Sequence, residues 1–403
     1  MKFGNLYAIP SRNGLTKPRS VRGDGIKFVN MGELFENERI GNIEMDRVPV
    51  SKTEMRDALL QKDDLLFARQ SLVREGAGKC SIITEVEEPT TFDSHLIRVR
   101  LNRSIANPSF YRYYFASPLS PMPGIVSQCA QAGIKGSDLK NLDVDCPPIE
   151  VQDEIASILG TYDELIENNR RQIKLLEEAA QRLYKEWFID LKFPGHESTP
   201  IVDGLPEGWK RGTLLTLVDV ARGCSYSSDE IMQGEKTLIN LGNLTPFGGF
   251  RSGYEKPFSG KSREDQLVAK GDVIMGLTEQ AIGLAGYAAL LPTVPDRSVI
   301  SADLVKLAPK QGVPAEFVYA LLRYGRFSEL ISPLANGTKI KHLRPQSLSR
   351  VTAQIPTIEL MRRYAAVVCF AYEQVDVCQQ QVAAAREARD RLLPKLMSGE
   401  IEV

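Results

Sequence analysis

One unit occurs twice in this chain, and that repetition limits the possible folds more than any other feature. Phe28-Val29-Asn30-Met31-Gly32-Glu33-Leu34 matches Leu238-Ile239-Asn240-Leu241-Gly242-Asn243-Leu244 at a shift of 210. Asp64-Leu65-Leu66-Phe67 matches Asp272-Val273-Ile274-Met275 at a shift of 208, and Gly133-Ile134-Lys135-Gly136 lies opposite Gly337-Thr338-Lys339-Ile340. Pro147, Ile149, Glu150, Ala156, Glu164, Gln172, Glu178, Ala179, Arg182 and Leu183 then recur 209 residues later, without a gap. Their counterparts are Pro356, Ile358, Glu359, Ala365, Glu373, Gln381, Glu387, Ala388, Arg391 and Leu392. Chance likeness between two helices would not carry the same shift into the strands before them. Each copy therefore reads as a globular part followed by a long helix.

The helices are legible from their spacing. Ile155, Leu159, Tyr162, Ile166, Asn169, Ile173, Leu176, Ala180, Leu183 and Trp187 alternate in steps of four and three. That is a heptad seam, and it repeats as Tyr364, Val368, Ala371, Val375, Cys378, Val382, Ala385, Arg389, Leu392 and Leu396. Asn169 and Arg389 interrupt the apolar seam at positions able to set register. A strict 3.5-residue period over this length favours a partner helix over an amphipathic helix lying on a globular core. The two seams can satisfy each other within one chain. Antiparallel pairing needs no return along the rod and gives a pseudo-twofold axis. About 38 residues at ~1.5 Å rise give a rod of roughly 57 Å. At ~3.4 Å per base pair that is about 17 base pairs of duplex at most.

The globular parts read as mixed α and β, with strands at 64–69, 96–101 and 304–307 and short helices at 108–116 and 314–324. The expected class is α+β: two globular domains in tandem repeat, separated by two long helices that form an antiparallel intramolecular coiled coil. Phe193-Pro194-Gly195 through Leu205-Pro206-Glu207-Gly208-Trp209 is a linker and restart signal. The expected boundaries are a first globular domain at 1–146, a central helix at 147–192, a linker at 193–208, a second globular domain at 209–354 and a C-terminal helix at 355–403.

Much enzymatic chemistry lacks its residues. Three histidines (His95, His196, His342) and six scattered cysteines, none spaced C-x-x-C, give no metal-ligand pattern. Gly260-Lys261-Ser262 imitates the end of a phosphate-binding loop, but Glu255 stands among the residues where the earlier glycine belongs. Cys146-Pro147-Pro148-Ile149 resembles the adenine-methyltransferase motif without its polar first residue or its base-stacking aromatic. Pro295-Asp296 is followed by no acid-x-lysine of the nuclease type. No run of about 18 apolar residues is present, so no membrane helix is expected. The opening Met1-Lys2-Phe3-Gly4-Asn5 lacks a signal-peptide pattern, and reduced thiols in a cytoplasmic protein are expected. Lys plus Arg, 50, nearly balances Asp plus Glu, 51, so any nucleic-acid partner would have to meet a local basic face.

Taken with the repeat, Pro147-Pro148-Ile149-Glu150-Val151-Gln152-Asp153-Glu154-Ile155, Leu165-Ile166-Glu167-Asn168-Asn169, Leu205-Pro206-Glu207-Gly208-Trp209 and Leu393-Pro394-Lys395-Leu396-Met397-Ser398-Gly399 carry a family likeness. The chain resembles the specificity (S) subunit of type I restriction–modification enzymes. The second connector, Ile355-Pro356-Thr357-Ile358-Glu359-Leu360-Met361, departs from the pattern by losing the second proline and the glutamine. The resemblance implies a non-catalytic, DNA-binding subunit. Each globular unit would be a target recognition domain reading one half of a bipartite double-stranded DNA sequence. The helices would set the spacing and dock two modification (M) subunits. Those subunits would bring S-adenosylmethionine, this chain having no cofactor of its own, and restriction (R) subunits would join them.

Candidate DNA-binding residues follow from local charge. Lys17, Arg19 and Arg22 cluster with Lys27 around the lone Asp24, Lys135 lies in the repeated glycine turn, and Lys339 and Lys341 fall in an acid-free stretch from Ala335 to Arg350. Arg222, Tyr226, Thr278 and Gln280 are candidates for reading base edges. A solvated surface charge is the competing reading for each cation. Glu164, Gln172, Glu178 and Arg182, with their repeats Glu373, Gln381, Glu387 and Arg391, are candidate partner contacts, against retention for solubility and helix propensity. A coiled-coil scaffold or adaptor without DNA specificity is the alternative from another functional class, and a fused methyltransferase-type enzyme is a third.

Overall fold

The computed structural model describes the chain except residues 129, 130, 246, 247, 280–284, 326, 336 and 338–340. It divides into two compact units, Met1–Glu167 with Val382–Val403, and Asn168–Gln381. Each unit thus joins one globular part to a half of each long helix.

In the first unit a five-stranded sheet runs in the order Tyr7–Asn13, Leu96–Leu101, Leu65–Ala68, Cys80–Ile83, Arg39–Ile40. The central strands 65–68 and 80–83 are buried at every position, as expected for strands covered on both faces. On one side pack Phe3, Tyr111, Phe115 and the helix Pro108–Ala116; on the other lie Val29, Leu34 and Phe92. A second sheet pairs Ile26–Val29 in parallel with Thr90–Phe92 and antiparallel with Arg47–Val48.

The second unit repeats this plan. Val218–Arg222, Leu304–Pro309, Val273–Gly276 and Ala288–Leu290 form a four-stranded sheet, and Ile231–Ile239 pairs in parallel with Ser298–Ile300. The helix Ala315–Tyr324 stands where Pro108–Ala116 stands in the first unit. The expected strands at 64–69, 96–101 and 304–307 and both short helices are present within a residue or two at their ends.

The long helices are Ile149–Tyr184, 36 residues, and Ile358–Ser398, 41 residues. A single π-turn, Lys185–Ile189, extends the first and turns Trp187 and Phe188 into the core. Gly399, at φ +73°, lies just past the second, where a left-handed residue suits a helix end. None of the heptad positions named above is exposed. In the first unit Ile155 and Leu159 share a core with Leu393 and Leu396, and Asp163 meets Arg389. In the second, Gln172 meets Cys378 and Ala180 meets Tyr364. In both units one helix ascends as the other descends, so the pair is antiparallel within one chain.

The two connectors explain the motif and its departure. Gln152 is fully buried; its amide donates to the carbonyls of Pro147 (2.8 Å) and Ile105 (3.1 Å), and its oxygen accepts from Asn107 N (2.9 Å). It ties the helix start to the globular part. At the equivalent position Met361 is 1% exposed and packs in an apolar core with Trp209, Phe317 and Tyr364. The second helix starts without the glutamine because an apolar contact replaces the three hydrogen bonds.

Candidate nucleic-acid interface and partner surface

In the first unit the N-terminal loop leaves a crowded turn. A Cβ on Gly14 would lie 2.0 Å from the Phe92 carbonyl oxygen, so no other residue fits there. Beyond it, Lys17 pairs with Glu54 at 3.0 Å and Arg22 with Asp46 at 2.8 Å. The expected cluster around Asp24 is therefore a set of intramolecular pairs with acids distant in sequence, and Lys27 is likewise paired with Glu88. The Ser51 backbone N–H, joined by Lys17, holds the Glu54 carboxyl below its ordinary range. Arg19 is exposed and forms no ion pair with a described residue. Lys135 is also exposed, just before the short helix Gly136–Lys140.

In the second unit Gly223 occupies the turn of Gly14, its Cβ position 2.1 Å from the Ser301 carbonyl oxygen. Arg222 is exposed and its Nε donates to the Ala302 carbonyl at 3.3 Å. Tyr226 is 37% exposed, its ring edge-on to Phe258 at 6.4 Å. Lys341 is half-exposed, 3.9 Å from Glu279. Thr278 corrects an expectation. It is 2% exposed, and its hydroxyl donates to Asp303 at 2.7 Å, so this conformation presents no threonine to a base edge. Its strand, Thr278–Glu279, pairs with Lys341–His342, and that pairing turns the side chain inward. Gln280 and Lys339 lie outside the described residues.

Most of the candidate partner residues are solvent-facing on the helices, though Gln172 also accepts from Cys378 of the other helix at 3.5 Å. Glu164, Gln172, Arg182, Glu373, Gln381, Glu387 and Arg391 are exposed and Glu178 is half-buried. The repeat extends to one contact: Glu178 pairs with Arg182 at 3.7 Å, and Glu387 with Arg391 at 2.6 Å. Each is an i, i+4 pair on a helix surface, which contributes only a few tenths of a kcal/mol.

A polar core escaped the sequence reading. Asp163, on the first helix, accepts from Tyr113 Oη (2.6 Å), Arg389 Nη1 (2.6 Å) and Arg112 Nη2 (3.1 Å). Glu38 accepts from the same two arginines, at 2.8 Å from Arg112 and 2.7 Å from Arg389. Arg389 was legible as a break in the seam; its partners were not, because Arg112 and Asp163 look like ordinary helix-surface charges. Burial alone would raise the Asp163 carboxyl, but the Arg112 charge, the Tyr113 hydroxyl and Arg389 hold it below its ordinary range. Among the described residues no group of His, Cys, Asp and Glu is arranged to hold a metal ion.

Residues 22–178 match the family model described as the type I restriction modification DNA specificity domain. The Type I restriction enzyme MjaIX specificity subunit of Methanocaldococcus jannaschii is 26% identical over 282 residues, 67% of this chain and 63% of that protein. That match spans less than two thirds of the relative's own length. The putative type I restriction enzyme MjaX specificity subunit of the same organism is 22% identical over 409 residues, 97% of this chain and 91% of the relative.

Residues 22–178 of this chain are thus similar to the type I DNA specificity domain, and the chain as a whole is similar to type I specificity subunits.

The fold agrees with that of a solved specificity subunit. The crystal structure of the type-I restriction-modification system S subunit from M. genitalium aligns with a TM-score of 0.60 at 14% identity. The alignment covers 98% of this chain and 95% of that one. No helix among the described residues of this chain is long and apolar enough to cross a membrane.

Proposed function

We propose that this chain is a specificity subunit that recognises double-stranded DNA for a type I restriction–modification complex, each globular unit reading one half of a bipartite sequence. The observation that carries the reading is the duplication itself. Two units of one plan, each closed by half of the antiparallel helix pair, supply two separate reading heads in one chain. In this reading the helices set the spacing between the two half-sites on DNA and offer the repeated residues Glu164, Gln172, Glu178 and Arg182, and Glu373, Gln381, Glu387 and Arg391, to two modification subunits. Those subunits carry S-adenosylmethionine and transfer its methyl group to adenine, and restriction subunits join the assembly. In this reading the chain itself positions DNA and performs no bond-breaking step.

Arg19, Lys135, Arg222 and Lys341 are the cations best placed for phosphate contact, and Tyr226 is the exposed aromatic best placed to meet a base. Methylome sequencing of host DNA with and without this gene tests the proposal. Loss of a single split adenine motif is expected, and exchange of residues 1–145 with a relative's should change one half of it. An unchanged methylome in a host carrying the modification subunits would leave the coiled-coil adaptor as the better account. Native mass measurement of the co-expressed complex should give two modification subunits per chain.

A further inference from the structure

We infer that Leu72 and Val73 form an apolar reading tip of the first unit, inserted into a DNA groove; this rests on the DNA-reading role proposed above. Leu72 is 87% exposed, more than any other large hydrophobic residue described, and Val73 beside it is 59% exposed. A lone exposed leucine needs no explanation. Here the loop that carries the pair is built to hold it out.

At the base of the loop Ala68 N donates to the Lys79 carbonyl (2.9 Å), and Gly78 N donates to the Ala68 carbonyl (2.8 Å). Gln70–Ser71 pairs with Ala132–Gly133, and Arg69 is gripped on both sides by His95 O (2.7 Å) and Ile134 N (2.9 Å). Above the base, Val73 N donates to the Ser71 hydroxyl (3.2 Å), and the 3₁₀ turn Arg74–Gly76 closes the return. Gly76 leaves no slack: a Cβ there would lie 2.2 Å from the Ser71 hydroxyl oxygen. The loop is braced at every point except its tip.

The occupant follows from the charges around the tip. Arg69, Arg74 and Lys135 flank it, and none forms an ion pair with a described residue, in contrast to Lys17, Lys27 and Arg22. Arg69 and Arg74 reach only carbonyl oxygens, those of Ser94 and Pro123, each at 3.5 Å. Glu75 is the acid within the same loop, and it is exposed. An apolar point on a loop that carries Arg69 and Arg74, with Lys135 just past the strand that pairs with it, suits a surface with anionic rims and an apolar floor, which is a duplex groove. There a leucine contacts a thymine methyl or wedges into a base step. At the 208-residue shift of this region the counterpart of Leu72 is Gln280, so the two units would read their halves with different chemistry.

The test uses the chain assembled with its modification subunits, a duplex carrying the methylated site, and a duplex of scrambled sequence. Leu72→Ala/Val73→Ala removes mostly exposed atoms, and an unchanged urea-unfolding midpoint checks that the fold is kept. Affinity for the site should fall about ten- to hundredfold, the equivalent of exposing a buried leucine. Scrambled-duplex affinity and the salt slope should stay as in the parent. Uracil for thymine at the contacted step then reports a methyl contact, and 2-aminopurine fluorescence reports an opened stack; either supports the assignment. Parent-like affinity of the variant for both duplexes, or an equal loss on both, overturns it. If the parent complex binds neither duplex, the DNA-reading role fails first and this inference with it.

Discussion

Where the helix pair meets its globular parts, the two units fill the same seat with different chemistry, chiefly ionic in the first and chiefly aromatic in the second. In the first, Asp163 on one long helix, Arg389 on the other and Tyr113 on the domain helix meet as charged and hydrogen-bonding groups, with Asp163 and Arg112 each 4% exposed. The 209-residue shift maps Asp163 onto Tyr372 and Arg389 onto Ala180, and aligning the prolines that open the two domain helices, Pro108 and Pro314, a shift of 206, maps Tyr113 onto Tyr319. In the second unit Tyr319 and Tyr372 meet edge-on at 5.3 Å, Tyr364 donates to the Ala180 carbonyl at 3.3 Å, and one arginine, Arg323, donates to Tyr319 and pairs with Glu177 at 2.9 Å at the edge of the cluster. One backbone plan thus tolerates either an ionic or an aromatic core. The ionic version demands all its partners at once, because a buried charge left alone costs more than the pair contributes.

The sharpest way to break this contrast is to remove one ionic partner. Asp163→Ala leaves Arg112 and Arg389 with the half-exposed Glu38 but without their buried partner, and should destabilise the first unit by about 3 kcal/mol, the lower end for a broken buried pair, read from urea unfolding. Installing the second unit's solution, Arg112→Val/Asp163→Tyr/Arg389→Ala, should cost less than the single change, since apolar replacement of a whole buried network is often near neutral. A triple variant less stable than Asp163→Ala would show that the seats are not interchangeable. In the second unit Tyr364→Phe removes only one long hydrogen bond and should cost about 1 kcal/mol.

Acid should separate the units in a second way. The Asp163 and Glu38 carboxyls are held below their ordinary range by Arg112 and Arg389 against the opposing effect of burial. The unfolded chain therefore binds these protons more readily than the folded one. Their stabilisation is complete above the ordinary carboxylate range and is lost as pH falls through the depressed folded values. Hydrogen exchange at residues 155–166 and 385–396 should quicken with acid before that at 176–184 and 361–372. Equal acceleration in both regions would mean that the ionic core contributes nothing specific.

The long-range plan was legible because periodicity survives in the sequence. The heptad seam, the 209-residue shift and the proline connectors needed no knowledge of tertiary contacts. Arg389 could be read as a seam break for the same reason. Its partners were hidden because Glu38 lies 351 positions away and nothing local marks it. Thr278 shows the complementary failure. A polar residue after a strand looked free to reach a base, but its short pairing with His342 turns it onto Asp303. Leu72 went unremarked because exposure is a property of the closed loop, and composition alone cannot distinguish a braced tip from a core residue.

The N-terminal loops give the finest comparison, and the smallest expected effects. Both leave a turn that only glycine fits, Gly14 in one unit and Gly223 in the other. The first loop then carries Lys17, Arg19 and Arg22, while the second carries Tyr226, Asp229 and Glu230. A count of charges would assign three phosphate contacts to the first. The structure commits Lys17 to Glu54 and Arg22 to Asp46, leaving Arg19 uncommitted. Replacing a cation that releases a counterion from duplex DNA lowers the salt slope by about one. Arg19→Ala should therefore flatten the slope of the assembled complex by about one, with a similar loss on site and scrambled duplexes. Lys17→Ala should change it by less, because that charge already has a carboxylate partner, and Tyr226→Ala should leave it unchanged. Equal slope changes for Arg19→Ala and Lys17→Ala would mean that the Lys17–Glu54 pair opens on DNA, so that the loop delivers its charge count rather than its resting geometry.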